Sequence, residues 1–250
     1  MKLLVILLSL LSERYLVHAL SYMRFNWFKS YFDKVILTIG QKDLLLNQHI
    51  LLILIILPIF LIVGLTLYIA NNLLFGFFTF LINLLIFYYC LGPVNPFYPI
   101  RTEIESENNE LAAGNYFSQV NGQLFSVIFW YVVAGALGLV VYRIISLCRE
   151  QPSTSKLASQ ITNFLDWIPA RITVLLYLLV GNFQKGFHFY VQKFFSSPEF
   201  NNQLLTEGGL LAARTSESEP VQLPYAESLV EHSIIVYLVV LALFTLGAFM

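Results

Sequence analysis

The sequence predicts an all-α, polytopic helical membrane protein, and three observations carry that prediction. Hydrophobic residues make up 58% of the 250 and charged residues 12%, whereas a soluble chain carries roughly 45–50% and about 25%. The mean hydropathy is +0.72. From Leu44 to Ile100 the chain runs for 57 residues without a Lys, Arg, Asp or Glu. A helix of a soluble protein buries one stripe and keeps the opposite face polar. A run this long, apolar on every side, belongs in lipid.

Taken in order, the elements are these. Met1 to Leu20 is apolar at first, but Glu13-Arg14 interrupts it and no small-residue cleavage site follows. That argues for a retained, partly inserted helix rather than a signal peptide. Tyr22 to Phe32 interleaves aromatics with Arg24 and Lys29, which suits the membrane interface. A hydrocarbon core of about 30 Å needs roughly 20 helical residues. Leu51–Ala70 meets that length, with Pro58 inside it. After the polar Asn71-Asn72 turn, Leu73–Leu91 forms a second crossing that stops at Gly92-Pro93. Residues 93–123, with Glu103, Glu105, Glu107 and Glu110, read as an acidic polar loop.

Leu124–Ile145 is the third crossing. Its Ala134, Gly135 and Gly138 suggest a small-residue face for helix packing, and Arg143 can snorkel from its end. Residues 148–232 read as an extramembrane or interfacial region. Within it, Ile172 to Gln184 offers 13 uncharged residues, about 20 Å of helix and too short to span. An interfacial helix after Asp166 is expected there. Leu204 to Glu231 mixes Gly, Ser, Glu and Pro, the composition of an exposed connection. Ser233–Met250 is the fourth crossing, and residues 1–250 read as a single membrane domain.

Several function classes lack support. A net charge of −1 gives no pull toward nucleic acid. His18, His49, His188 and His232 lack metal-ligand spacing, and Cys90 and Cys148 read as small buried hydrophobes. No phosphate-binding glycine loop or nucleophile elbow is present. The loop charges point to opposite orientations. Arg24, Lys29, Lys34 and Lys42 argue that the 21–48 loop is cytoplasmic, whereas Arg149 and Lys156 fall in a loop that this arrangement puts opposite.

The charges that remain near apolar segments are the candidates for a polar or anion site: Glu13, Arg14, Tyr142, Arg143, Asp166 and Arg171. Asp166 can cap the helix that follows, and Pro169 falls in its first turn, where a missing N–H costs nothing. Arg171 is a permanent cation on an apolar helix and needs a partner. Asp166 lies five residues away, out of register for a direct pair in a regular helix.

Leu165 to Thr173, LDWIPARIT, resembles the L-D/N-W-x-P-x-R-L signature of the AmpE and CobD–CbiB superfamily of bacterial inner-membrane proteins. Phe129, Trp130, Gly135, Gly138, Tyr142 and Arg143 are similar to a second family helix, and the Glu-Arg opening and apolar tail agree with it. The cobalamin branch implies an ATP-dependent ligase that joins an aminopropanol phosphate to cobyric acid, with acidic residues shortly before the Phe-Trp helix. Here Gly114 to Gln123, GNYFSQVNGQ, holds no carboxylate, and such ligation ordinarily needs carboxylates for Mg²⁺. The AmpE branch implies instead a modulator of β-lactamase induction, tied to peptidoglycan recycling and antibiotic response through a cytoplasmic muropeptide amidase. On that reading no catalytic residue and no cofactor is expected, and the bilayer is the first partner. ATP and Mg²⁺ enter only with a ligase-like enzyme binding a phosphate or nucleotide near Arg143 and Arg171. A small transporter subunit is a third reading, suggested by Glu13-Arg14 in an apolar run.

Overall fold

A computed structural model describes residues 2–15, 24–39, 47–71, 76–92, 109–214 and 220–247. Among these residues the secondary structure is helical, with no strand. The all-α class follows from the apolar runs, because in lipid a helix satisfies its own backbone hydrogen bonds. The chain divides into two compact units, residues 1–93 with 127–165 and residues 94–126 with 166–250. A single domain was the expectation. Hydropathy reads along the chain and cannot see which helices share partners.

The first unit contains α1 (Lys2–Tyr15), α2 (Asn26–Ile39), α3 (Gln48–Asn71) and α4 (Phe77–Cys90). Its other helices are most of α6 (Ser126–Cys148) and all of α7 (Ser155–Leu165). α1 and α3 both pack on α4. α3 has 24 residues, about 36 Å at 1.5 Å per residue, enough to cross with some tilt. Its Leu61, Ile62 and Leu65 are each about three-fifths exposed, as a lipid-facing helix requires. α4, by contrast, has 14 residues and about 21 Å of rise. Residues 73–75 of the expected second crossing lie outside the described residues.

Four expectations are corrected by the architecture. Residues 109–123 are not loop: α5 (Asn109–Val120) continues through a π-helical turn, Asn121–Phe125, into α6. Together they form one apolar helix of 39 residues from Glu110. The acidic run over 93–108 lies outside the described residues. α5 forms because its Ala113, Tyr116, Phe117 and Val120 are buried, with α10 (Asn201–Ala213) and α11 (Leu223–Gly247) as the helices it packs on. Burial of an amphipathic face, not propensity, supplies most helical stability.

The second correction concerns Ala134, Gly135 and Gly138. Gly135 has φ 70° and ψ −166° and breaks α6. Among the described residues no packing neighbour lies within 4 Å of where its Cβ would stand, so Gly135 provides a backbone conformation rather than a close packing surface. At Gly138 an added Cβ would fall 2.2 Å from Ala134 Cβ, so its missing side chain accommodates the kinked turn.

Third, α8 (Trp167–Val180) is no surface helix: Pro169, Ala170, Thr173, Val174, Leu176, Tyr177 and Leu178 are all buried. Among the described residues three helices are long and apolar enough to cross a membrane, and α7 with α8 makes a fourth if the pair is one broken span. Fourth, the expected exposed connection from Leu204 is partly α10, with Leu204, Leu205, Gly208 and Gly209 buried. An added Cβ at Gly208 would meet Val174 at 2.6 Å, and one at Gly209 the Phe117 ring at 2.4 Å. Two adjacent glycines thus let α10 approach α8 and α5 closely. α11 begins ten residues before Ser233, with Leu223, Ala226 and Leu229 buried. Residues 215–219 and 248–250 lie outside the described ones.

Candidate functional site

The second unit is organised around two buried polar clusters on α8. The first is centred on Arg171, 3% exposed. Its Nε donates to the Phe194 carbonyl at 2.9 Å. Nη1 donates to the Trp167 carbonyl at 2.8 Å and to Asn201 Oδ1 at 2.6 Å. Nη2 donates to the Ser196 carbonyl at 2.9 Å and to Ser196 Oγ at 3.2 Å. A guanidinium has five N–H donors and no acceptor, so these five bonds use the whole group. The Trp167 ring lies against it, 4.3 Å from ring centroid to guanidinium carbon, a cation–π distance. Trp167 Nε1 donates to the same Ser196 carbonyl at 2.9 Å.

This geometry follows from local sequence. Trp167 opens α8 with Pro169 in the first turn, and Trp167, four residues before Arg171, lies on the same face. Residues 194–197 turn between α9 (Phe183–Lys193) and a 3₁₀ turn, Pro198–Phe200. A turn leaves carbonyls without helical partners, and here Phe194 and Ser196 offer theirs to the arginine. Burial raises the Tyr190 phenol above its usual value, while the Arg171 charge pulls it the other way.

The second cluster sits at the π-helical turn. Ser126 Oγ donates to Asp166 Oδ1 at 2.7 Å, Asn121 Nδ2 donates to Ser126 Oγ at 3.2 Å, and Thr173 Oγ1 donates to Asn121 Oδ1 at 2.8 Å. All four residues are buried. A π turn widens the helix by one residue and is frequent at functional sites. Here it brings Asn121 and Ser126 toward α8. Asp166 is therefore not the helix cap that was expected: its side chain makes no capping bond, and its carboxylate accepts from Ser126 instead.

In the first unit, Glu13 is fully buried and accepts a hydrogen bond from Arg24 Nη2, forming an ion pair. Arg24 lies over the Tyr88 ring at 4.4 Å. Arg143 Nε donates to the Cys90 carbonyl at 2.7 Å, so the arginine is buried rather than snorkelling. Tyr142 stacks on Trp130, centroids 6.4 Å apart. Arg14 is half-buried.

Glu13, Arg14, Tyr142 and Arg143 belong to the first unit, Asp166 and Arg171 to the second. Asp166 and Arg171, though in one motif, address different partners. Sequence reasoning missed Arg24, Asn121, Ser126, Thr173, Ser196 and Asn201. The stretch Gly114 to Gln123 holds one of these, Asn121, but its composition shows only that it lacks a carboxylate. Among the described residues no three of His, Cys, Asp and Glu come close enough together to hold a metal ion.

Chemically, a guanidinium with every donor engaged locks helices and has none left over for a phosphate. The class defined by fold and clusters is an all-α polytopic membrane protein with a Trp–Arg lock inside its C-terminal unit. The chain belongs to the AmpE family: residues 98–250 match the family described as "Regulatory signalling modulator protein AmpE". It is also similar to the "Probable cobalamin biosynthesis protein CobD" of Pyrococcus furiosus, 29% identical over 85 residues, which cover 31% of this chain and 30% of that protein. The "Cobalamin biosynthesis protein CobD" of Chromobacterium violaceum is 32% identical over 71 residues, covering 25% and 23%. These matches thus span less than a third of the length of either curated relative. No solved structure matches the chain.

Proposed function

We propose that this chain is a multi-pass inner-membrane signalling modulator acting in β-lactamase induction, peptidoglycan recycling and the response to antibiotics. Its functional associate would be a cytoplasmic muropeptide amidase, and it would carry out no chemistry of its own. The family match over residues 98–250 supports the modulator role. The observation that carries the reading is the engagement of all five Arg171 donors by protein acceptors. The most distinctive motif of the chain then serves to hold helices together. Deleting the gene tests the role: β-lactamase induction by a β-lactam and the muropeptide pool should both change. Unchanged induction and unchanged pools would overturn it.

The likeness to two proteins named for cobalamin biosynthesis favours a second reading, an enzyme that binds a phosphate or nucleotide. Asp166 and Ser126 would be its polar groups. Against it stands the stretch Gly114 to Gln123, which supplies amides and hydroxyls but no carboxylate for Mg²⁺. ATP consumption by the purified chain on addition of cobyric acid and an aminopropanol phosphate would establish this reading; its absence favours the modulator.

A further inference from the structure

The first unit contains a cavity of about 530 Å³ whose wall is almost entirely apolar and aromatic. α3 contributes Ile59 and Val63, α4 contributes Leu85 and Ile86, and α6 contributes Val140. Its volume lies in the range of roughly 300–1,000 Å³ usual for small-molecule pockets. Two features set it apart from an ordinary packing gap. Arg143 lines it, at the level of the Cys90 carbonyl that its Nε holds. Arg24 flanks it: its guanidinium lies over Tyr88, its neighbour Phe25 is in the wall, and it is close enough to act electrostatically on Cys90, another wall residue.

Arg24 is 7% exposed, and while its Nη2 serves Glu13, its Nη1 has no hydrogen-bond partner among the described residues. A buried N–H of a charged group left without an acceptor is unfavourable, so a further acceptor at Nη1 would stabilise Arg24. The wall also includes Trp27 and Tyr89. Trp27 Nε1 donates to the Tyr89 hydroxyl, which donates to the Arg24 carbonyl. Trp and Tyr concentrate at the headgroup level of a bilayer. One region therefore combines an apolar cavity, an interfacial aromatic pair and two arginines.

We propose that this cavity holds an acyl chain of an anionic phospholipid, with the lipid phosphate received by Arg24 and Arg143. The chain fills space that water would not favour, and the phosphate supplies the acceptor that Arg24 Nη1 lacks. Arginine suits this role because its planar fork matches phosphate oxygens.

The test is native mass spectrometry of the full chain in neutral detergent, titrated with phosphatidylglycerol and phosphatidylcholine of identical acyl chains. Both lipids carry the phosphate, but the choline cation of phosphatidylcholine offsets its charge beside the two arginines, so phosphatidylglycerol should form a one-to-one adduct at a concentration about tenfold lower. Val63→Phe, which fills the cavity, should abolish the adduct. Should that variant not fold, Leu85→Trp, at a position 64% exposed, serves the same purpose. Arg24→Lys keeps a cation for Glu13 but removes the fork, and should weaken the preference for the anionic lipid. Equal adducts with the two lipids would overturn the proposal. So would an unchanged adduct in a folded cavity-filling variant, or full headgroup preference in Arg24→Lys.

Discussion

Arg171 donates all five of its N–H groups to the protein: two bonds go to backbone carbonyls and two to side-chain oxygens in the segment 194–201, and one to the Trp167 carbonyl. Lysine has three donors and no fork, so Arg171→Lys should leave at least two buried acceptors unmet and destabilise the chain by about 3 kcal/mol. Thermal unfolding in detergent measures this, and an unchanged midpoint would contradict the lock. Asn201 supplies the amide oxygen among these acceptors. Asn201→Ala should cost about 1–3 kcal/mol, whereas Arg171→Lys combined with Asn201→Ala should cost less than the sum, because the two share one bond. The need for a partner was legible at Arg171 from its charge in an apolar helix. Its identity was not, because three of the five acceptors are backbone carbonyls, two of them 23 and 25 residues away, and backbone carbonyls leave no mark in a sequence.

At the scale of elements, glycine decides two geometries. Gly209 lies where a Cβ would sit 2.4 Å from the Phe117 ring and 2.9 Å from its Cβ. Gly209→Ala should push α10 off α5 and cost about 1–3 kcal/mol, the usual penalty of overpacking. Gly135→Ala should also destabilise, by about 1 kcal/mol, for a different reason: the space is open, but φ 70° strains any residue with a Cβ. Melting midpoints of the two variants check both, and a neutral Gly135→Ala would show that the kink is dispensable. The sequence marked Gly135 and Gly138 as small, yet smallness alone does not distinguish a packing notch from a kink. α5 and α10 escaped notice because their polar composition resembles loop. Only the partners that bury Tyr116, Phe117 and Leu205 make them helices.

At the scale of the molecule, the apolar runs made the class and three long helices legible, since charge-free length is a direct property of sequence. The division into two units was not legible. It depends on contacts between helices far apart in the chain. The membrane reading predicts that Leu61→Cys and Val239→Cys, at positions 58% and 53% exposed, stay unlabelled by a membrane-impermeant maleimide in intact cells and in membranes opened to both sides. Rapid labelling would contradict a lipid-facing position. The engaged donors of Arg171 make the Trp-Ile-Pro-Ala-Arg segment an internal lock rather than a phosphate site. Its most direct test compares thermal unfolding of the full chain and of Arg171→Gln, each with and without pyrophosphate. The lock predicts a lower midpoint for Arg171→Gln and no pyrophosphate shift in either protein. A variant that melts like the parent but loses a pyrophosphate-dependent stabilisation present in the parent would contradict it.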